Sequence, residues 1–564
     1  MALKRKTVVG KYWWLMVALV HFIASFIYTR TVFIKDYTGL DLTVLDDSIT
    51  SDHEHLLSVI TARIIAFALM CAFWYFIKLL CDKHFSKQFV IAFAIILFYG
   101  VIQVSVGYPQ MIWEQGDSLI TYHFAVRNMP FYWHSAWTSS VMAAELMVLP
   151  HPIAILMVQM IAFAGTLAYI FDSLGQLCTR SWVKWLTIIL LLYPDTIRVM
   201  MSPYRNSTYT VLALWLVAYI LFNFLKNNLR FSVAGGFGFI FLLAFLAVWR
   251  SEGIVLAVGL FLLIFGVAGR KDIKTFFVWC LMFICAFKLI SYPQNLGNDK
   301  YYKNDYLIIN TTPTLKTIFN DVDANLSYEG ADEDVAAIDA ICEHEYLAAE
   351  GMMGYRTSNY LRGNNMNQTC ASDEERSAYM KAFAHLVIHN PMDYIKTQAN
   401  YYLFAMGVHM SFPIDEYTGD GVELCAEAYD NYFTLAENSK AALYSWGNTQ
   451  KFVDSSFRAG LEVIVNTVNE LVNKIWIKTH LYVLVKVFTF IYLIVNAIRM
   501  FVSWIRMKRS VDLILAGVTI VLFGAMMMIA LLAPGGGPEY YYPILYLMYL
   551  LVFVEAGMGV KDRK

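Results

Sequence analysis

Apolar runs of roughly twenty residues recur along the whole chain, near 12–29, 58–80, 88–107, 152–174, 182–200, 207–225, 231–249, 252–269, 274–292, 480–500, 511–533 and 540–558. Each is long enough to cross the ~30 Å hydrocarbon core of a bilayer as a helix rising about 1.5 Å per residue. In lipid every backbone N–H and C=O must be bonded within the protein, and a single segment achieves that only as an α-helix. Composition agrees: 58% of the 564 residues are hydrophobic, 15% are charged, and mean hydropathy is +0.51. A soluble domain carries about 25% charged residues. The predicted fold class is an all-α polytopic membrane protein with about 12 transmembrane helices.

Charge orients the spans. Lys4, Arg5, Lys6 and Lys11 precede the first run, and alternate connections then carry Lys83/Lys87, Arg180/Lys184, Lys226/Arg230, Arg270/Lys271/Lys274, Arg506/Lys508/Arg509 and Lys561/Arg563/Lys564. Basic residues concentrate in cytoplasmic loops, so the alternation predicts cytoplasmic termini. The basic N-terminus followed by an apolar run is signal-like, but it lacks a clean small-residue cleavage site and reads as an uncleaved first helix. The opposite face receives an acidic loop (29–57), a loop over 107–151, a long segment over 293–479, and a Gly/Pro turn from Leu532 to Pro543. Amphipathic runs such as Ala382–Ile388 and breaks at Gly351–Gly354 and Gly363-Asn364-Asn365 make 293–479 a mostly helical extracytoplasmic domain, since long structureless loops are uncommon. The expected organisation is a two-helix addition (1–87), a membrane core (88–292) with outer loop 107–151, the extracytoplasmic domain (293–479) and C-terminal membrane helices (480–564).

Several function classes are absent. A net charge of −1 gives no signal for nucleic acid. There is no Walker loop, dinucleotide fingerprint or HExxH. Cys71, Cys81, Cys178, Cys280 and Cys285 lie in apolar stretches and read as core residues. Cys342, Cys370 and Cys425 share the polar segment, where one disulfide would leave one thiol over. Asn206-Ser207-Thr208, Asn310-Thr311-Thr312, Asn325-Leu326-Ser327 and Asn367-Gln368-Thr369 match the short glycosylation sequon. No residue set reads as a metal site, although the acidic loop with Asp36, Asp46, Asp47, Asp52, His53 and His55 keeps a divalent ion open; otherwise it is a solvated loop.

Three constellations fall on the outer face. The first runs from Trp113-Glu114-Gln115-Gly116-Asp117-Ser118 through Tyr122 to Phe131-Tyr132-Trp133-His134-Ser135. As a helix lying in the interface it would set Asp117 and Tyr122 near one face, with the carboxylate available as a general base; the alternative is an aromatic belt with solvated polar groups. The second is cationic. Arg198, Arg205 and Arg250 stand at outer span ends, against the inward bias, and guanidinium suits phosphate oxygens. The alternatives are an Arg250–Glu252 pair and a snorkelling Arg198. The third is Pro534-Gly535-Gly536-Gly537-Pro538-Glu539-Tyr540-Tyr541-Tyr542-Pro543, whose glycines admit close backbone approach and whose tyrosines could stack on a sugar, or which is a tight turn with interfacial tyrosines.

Taken in order, these motifs resemble the GT-C superfamily of membrane glycosyltransferases, specifically the bacterial envelope type using polyprenyl-phosphate-linked sugars. The resemblance rests on Gly116-Asp117 to Tyr122 with Trp133-His134, Tyr204-Arg205-Asn206-Ser207-Thr208-Tyr209, Arg250-Ser251-Glu252-Gly253, Asn390-Pro391-Met392-Asp393-Tyr394-Ile395 and Tyr541-Tyr542-Pro543, spread over about 90–558. It implies a carboxylate in the first outer loop. Two outer loops offer one; Asp117 is assigned, with Glu114 beside it, and the carboxylates of 29–57 are the alternative. An adjacent acidic pair, common in the family, is replaced here by Asp117-Ser118. The resemblance further implies an inverting hexosyl- or pentosyltransferase. Arg205, Arg250 and Arg198 would bind the donor phosphate, and Tyr122, His134, Glu539, Tyr541 and Tyr542 would line the substrate site. The implied partners are a polyprenyl-phosphate-linked sugar, an envelope glycan or lipid-linked acceptor and membrane lipids; no cofactor is implied. A polysaccharide polymerase and a lipid-linked glycan transporter or flippase are the competing readings. The transporter is disfavoured because no internal repeat is evident and the polar groups gather at span ends.

Overall fold

The structure is a computed structural model that describes residues 8–29, 33, 52–107, 116–132, 135–178, 180, 182–186, 200, 205–226, 233–268, 273–297, 308, 311–320, 325–348, 372–405, 455–478, 481–507, 510–532 and 540–557. Among them every regular element is a helix and there is no strand. Seven helices are long and apolar enough to cross a membrane, and four further apolar helices are shorter. The expected span at 182–200 lies mostly outside the described residues.

The chain divides into two compact units. One comprises 1–229, 414–476 and 549–564; the other comprises 230–413 and 477–548. In the first unit, α1 (Val8–Tyr28), α2 (Asp52–Cys81) and α3 (Lys87–Gly107) are followed by two short helices, α4 (Gly116–Val126) and α5 (Ala136–Val148), and then by α6 (Ile153–Leu177) and α7 (Arg205–Leu225). In the second unit α8 (Val233–Trp249) turns sharply into α9 (Gly253–Phe261), which runs on as a π-helix over Leu262–Ala268, and α10 (Ile273–Gly297) follows. The polar segment supplies α11 (Ala331–Asp339), α12 (Asp373–His389) and α13 (Pro391–Ala405) to that unit.

The remaining helices are α14 (Ser456–Lys478), α15 (Leu481–Met507), α16 (Ser510–Leu532) and α17 (Tyr542–Gly557). α14 belongs to the first unit through residue 476, and its Arg458 shows why: Nη2 donates to Val106 O at 2.9 Å and Nε to Ser105 O at 3.3 Å. Those are orphan carbonyls at the end of α3, where a cation also meets the negative end of the helix dipole. α14 is amphipathic, with Phe457, Ile464, Val468, Leu471 and Ile475 exposed along one stripe at helical spacing.

In the second unit small residues let helices approach closely, as in other membrane bundles. A Cβ on Gly259 of α9 would collide with Val521 of α16, and one on Gly517 of α16 would collide with Leu263. α15 and α16 are joined by a buried hydrogen bond from Asn496 Nδ2 to Thr519 Oγ1 at 3.2 Å and a partly buried one from Ser503 Oγ to Asp512 Oδ2 at 2.6 Å.

The polar segment has an apolar core of its own, in which Ile308, Leu315, Ile318, Phe319, Ile338, Ile341, Leu347, Ala382 and Leu386 are buried around Tyr379. Ala382 and Leu386 are core positions of the amphipathic run expected at 382–388. Ser372 caps α12, accepting from Glu375 N while the Glu375 carboxylate accepts from Ser372 N, a reciprocal capping box. Cys342 is a buried free thiol in this core and forms no disulfide; Cys370 and Cys425 lie outside the described residues. The Tyr379 hydroxyl lies 2.6 Å from Thr312 Oγ1 and 3.3 Å from Thr311 Oγ1. Thr311 and Thr312 keep their own bonds to Ile308 O, so Tyr379→Phe removes a buried hydrogen bond and a loss of about 0.5–1.5 kcal/mol in stability is expected, read as a lowered unfolding midpoint of the full-length protein in detergent.

Candidate functional site

The loop between α3 and α6 folds as a helical hairpin. α4 ends at Val126, and Asn128 adopts φ 53°, a left-handed conformation that asparagine tolerates. Met129 N then returns to Phe124 O at 2.9 Å, and Phe131 stacks on Phe124 with centroids 4.8 Å apart. Ser139 Oγ accepts from Phe131 N at 3.0 Å, tying the returning segment to α5. The last carbonyls of α5 have no intrahelical donor, and α1 supplies them. Tyr28 donates to Met147 O at 2.8 Å and Val148 O at 3.1 Å, and His21 Nε2 lies 3.0 Å from Val148 O. The hairpin is therefore packed structure held on α1 and α2.

Gly116 and Asp117 form the first turn of α4. A carboxylate at that position is favoured by the helix dipole. The Asp117 side chain lies outside the described residues, as do Glu114, Trp133 and His134 entirely. Tyr122 is buried, at 2% exposure, so it is no interfacial belt aromatic. Residues five apart on an α-helix are separated by roughly 140°, so the expectation that Asp117 and Tyr122 share a face is corrected: α4 puts them on different sides. Inside the hairpin Ser118 Oγ, Asn128 Oδ1 and Ser135 Oγ are buried without hydrogen-bond partners among the described residues.

One carboxyl in this hairpin escaped the sequence reading. Glu145 of α5 is buried, and burial pushes its carboxyl well above the usual carboxylate range. Its only sequence signal was a lone acid in an otherwise apolar helix, Val141–Val148.

Arg205 opens α7. A guanidinium beside a helix N-terminus sums two positive influences, an arrangement that favours an anion. The first turn of α7 is fixed to α6, since Thr208 Oγ1 donates to Gln159 Oε1 at 3.3 Å and Gln159 Nε2 donates to Met200 O at 3.0 Å. Next to Arg205, Asn206 is 0% exposed, and neither its amide nitrogen nor its amide oxygen has a partner among the described residues. Buried amides are nearly always bonded, so this one is a polar group directed at something other than the described protein. Its burial also removes it as a glycosylation acceptor. Arg198 lies outside the described residues.

The second unit carries the other cation. Arg250 stands in the turn between α8 and α9, its side chain 3% exposed, and its Nε is ion-paired with Glu252 Oε1. Ser251 Oγ donates to Glu252 Oε2 at 3.3 Å, and the guanidinium lies 4.9 Å from the Tyr540 ring centroid. This is the internal pair that stood as the alternative to phosphate binding. Tyr541 was expected to face a sugar or the membrane surface. It is instead buried, edge-on to Tyr402 of α13 with centroids 5.4 Å apart, because an aromatic at a helix start gains more from packing than from exposure. Tyr542 begins α17 and is partly buried. Glu539 and the three glycines before it lie outside the described residues. Among the described residues no group of three His, Cys, Asp or Glu side chains could hold a metal ion.

Compared with models of known protein families, with curated proteins and with solved structures, the chain has no match.

Proposed function

We propose that the chain is a multi-pass membrane glycosyltransferase of the GT-C type, acting on the extracytoplasmic face with both termini cytoplasmic. It moves a sugar from a polyprenyl-phosphate donor to an envelope glycan or lipid-linked acceptor. The observation that carries the reading is the start of α7, where Arg205 meets a helix N-terminus beside the buried Asn206 amide, which has no partner among the described residues. That chemistry suits a phosphate oxygen cluster. The same unit contains α4, whose first turn carries Asp117.

In this reaction the acceptor hydroxyl oxygen attacks the anomeric carbon and passes its proton to the Asp117 carboxylate. The bond from that carbon to the lipid-phosphate oxygen breaks, and its electron pair leaves on the phosphate. Arg205 stabilises the charge developing there. A single in-line displacement inverts the anomeric centre. Arg250, already neutralised by Glu252, serves structure in this scheme.

The test is the full-length protein in liposomes given a radiolabelled polyprenyl-phosphate sugar and a lipid-linked glycan acceptor. Release of polyprenyl phosphate in step with one labelled sugar per acceptor is the expected result. A ladder of products would move the assignment to a polymerase. Label crossing the bilayer with the donor bond intact would move it to a transporter.

A further inference from the structure

Arg63 lies well inside α2, a helix apolar enough to cross a membrane. Its Nη1 donates to Ser25 Oγ at 2.8 Å and its Nη2 to Thr29 Oγ1 at 3.0 Å, both on α1. The guanidinium also lies over the Phe26 ring, 4.2 Å from its centroid. Ser25 and Thr29 spend their own protons on backbone, donating to Phe22 O and Ser25 O. These contacts orient the fork, but they are neutral, and among the described residues no carboxylate is paired with Arg63. The contrast with other arginines is direct: Arg250 has Glu252, Arg376 has Asp373 and Arg458 has Glu462. An ionisable group inside a spanning helix is costly unless something meets it.

Depth says what meets it. Lys78 and Asp82, paired at the end of α2, mark one interface. About eighteen residues separate Arg63 from Cys81, or about 27 Å of helix, close to the ~30 Å hydrocarbon thickness. Side chains on a helix lean toward its N-terminus, which carries the guanidinium further outward. It therefore reaches the level at which the phosphates of the opposite leaflet sit. Around it Ile23 and Ile27 of α1 and Ile60 and Ile64 of α2 are exposed, as surfaces along acyl chains are.

We propose that Arg63, held by Ser25, Thr29 and Phe26, binds the phosphate of an anionic membrane lipid whose acyl chains lie along Ile23, Ile27, Ile60 and Ile64. The site is independent of the transferase reaction. A guanidinium fork bonds phosphate oxygens in pairs, and the α1 hydroxyls fix that fork in advance.

The test uses the full-length protein, delipidated in detergent and titrated with phosphatidylglycerol, with diacylglycerol of the same acyl chains, or with inorganic phosphate. Bound molecules are counted by native mass spectrometry and the unfolding midpoint is followed. Phosphatidylglycerol is expected to bind and raise the midpoint, and the other two to do neither. Arg63→Gln should lose one bound lipid, its affinity there falling about tenfold or more. Equal effects from diacylglycerol, or from free phosphate, overturn the proposal, as does unchanged lipid binding in Arg63→Gln. Should that variant fail to insert, Arg63→Lys carries the test. It keeps charge and depth and loses the fork, so a severalfold weaker affinity is expected, and an unchanged one overturns the assignment.

Discussion

Asp117→Asn is expected to leave the protein inserted and folded while lowering sugar transfer by about 10²–10⁴-fold, the usual worth of a positioned base. The substitution keeps the size of the side chain and its hydrogen-bonding oxygen. What it removes is the ability to take a proton from the acceptor hydroxyl. Its structural cost is confined to the first turn of α4, where exchanging a carboxylate for an amide forfeits a dipole interaction of about 0.3–1 kcal/mol. Donor affinity should be unchanged, because the base meets the acceptor and the phosphate is met at the start of α7. Arg205→Gln makes the complementary case: donor binding weakens while the acceptor still binds. The check is turnover of both variants in liposomes alongside equilibrium binding of the lipid-phosphate donor. Full transfer by Asp117→Asn would remove Asp117 from the base role and direct attention to the carboxylates of 29–57.

What could be read in the sequence follows the range of the forces involved. The seven described helices long and apolar enough to cross a membrane were legible because each is a local fact: about twenty apolar residues close their own hydrogen bonds whatever their neighbours do. The helix at 373–389 was visible through Ala382–Ile388 for the same reason, and Ser372 with Glu375 marks its start. The site was only partly legible. The stretch from Gly116-Asp117 reads as a helix carrying an acid, and a helix does begin there. That this helix folds back as a hairpin whose last carbonyls bond Tyr28 and His21 depends on residues more than a hundred positions away. Partner identity is likewise non-local. The Tyr541 ring packs against Tyr402, and Arg63 bonds hydroxyls of α1, partners that the residues adjacent in sequence do not name. Arg250 could be weighed both ways from sequence because its partner stands two residues on, and the structure decides that this pair forms.

That decision has a measurable consequence. Glu252→Ala should destabilise the protein by about 3–5 kcal/mol, since removing one member of a buried pair leaves the other charge uncompensated. Arg250 and Glu252 side chains are 3% and 6% exposed, so water cannot take the carboxylate's place. Glu252→Gln should cost less, because an amide oxygen still accepts from the guanidinium. Replacing both residues, Arg250→Met with Glu252→Leu, should bring stability back toward the starting value, as apolar packing substitutes well for a buried pair of similar volume. The unfolding midpoints of the starting protein, Arg250→Met, Glu252→Leu and the double variant in one detergent give the cycle, and a strongly negative coupling between the two positions is the expected outcome. Transfer activity then separates structure from chemistry. The stable double variant should keep its donor affinity if the phosphate is met at Arg205. A double variant that stays folded and loses donor binding would instead make Arg250 a phosphate ligand, with Glu252 the group that holds its fork in place.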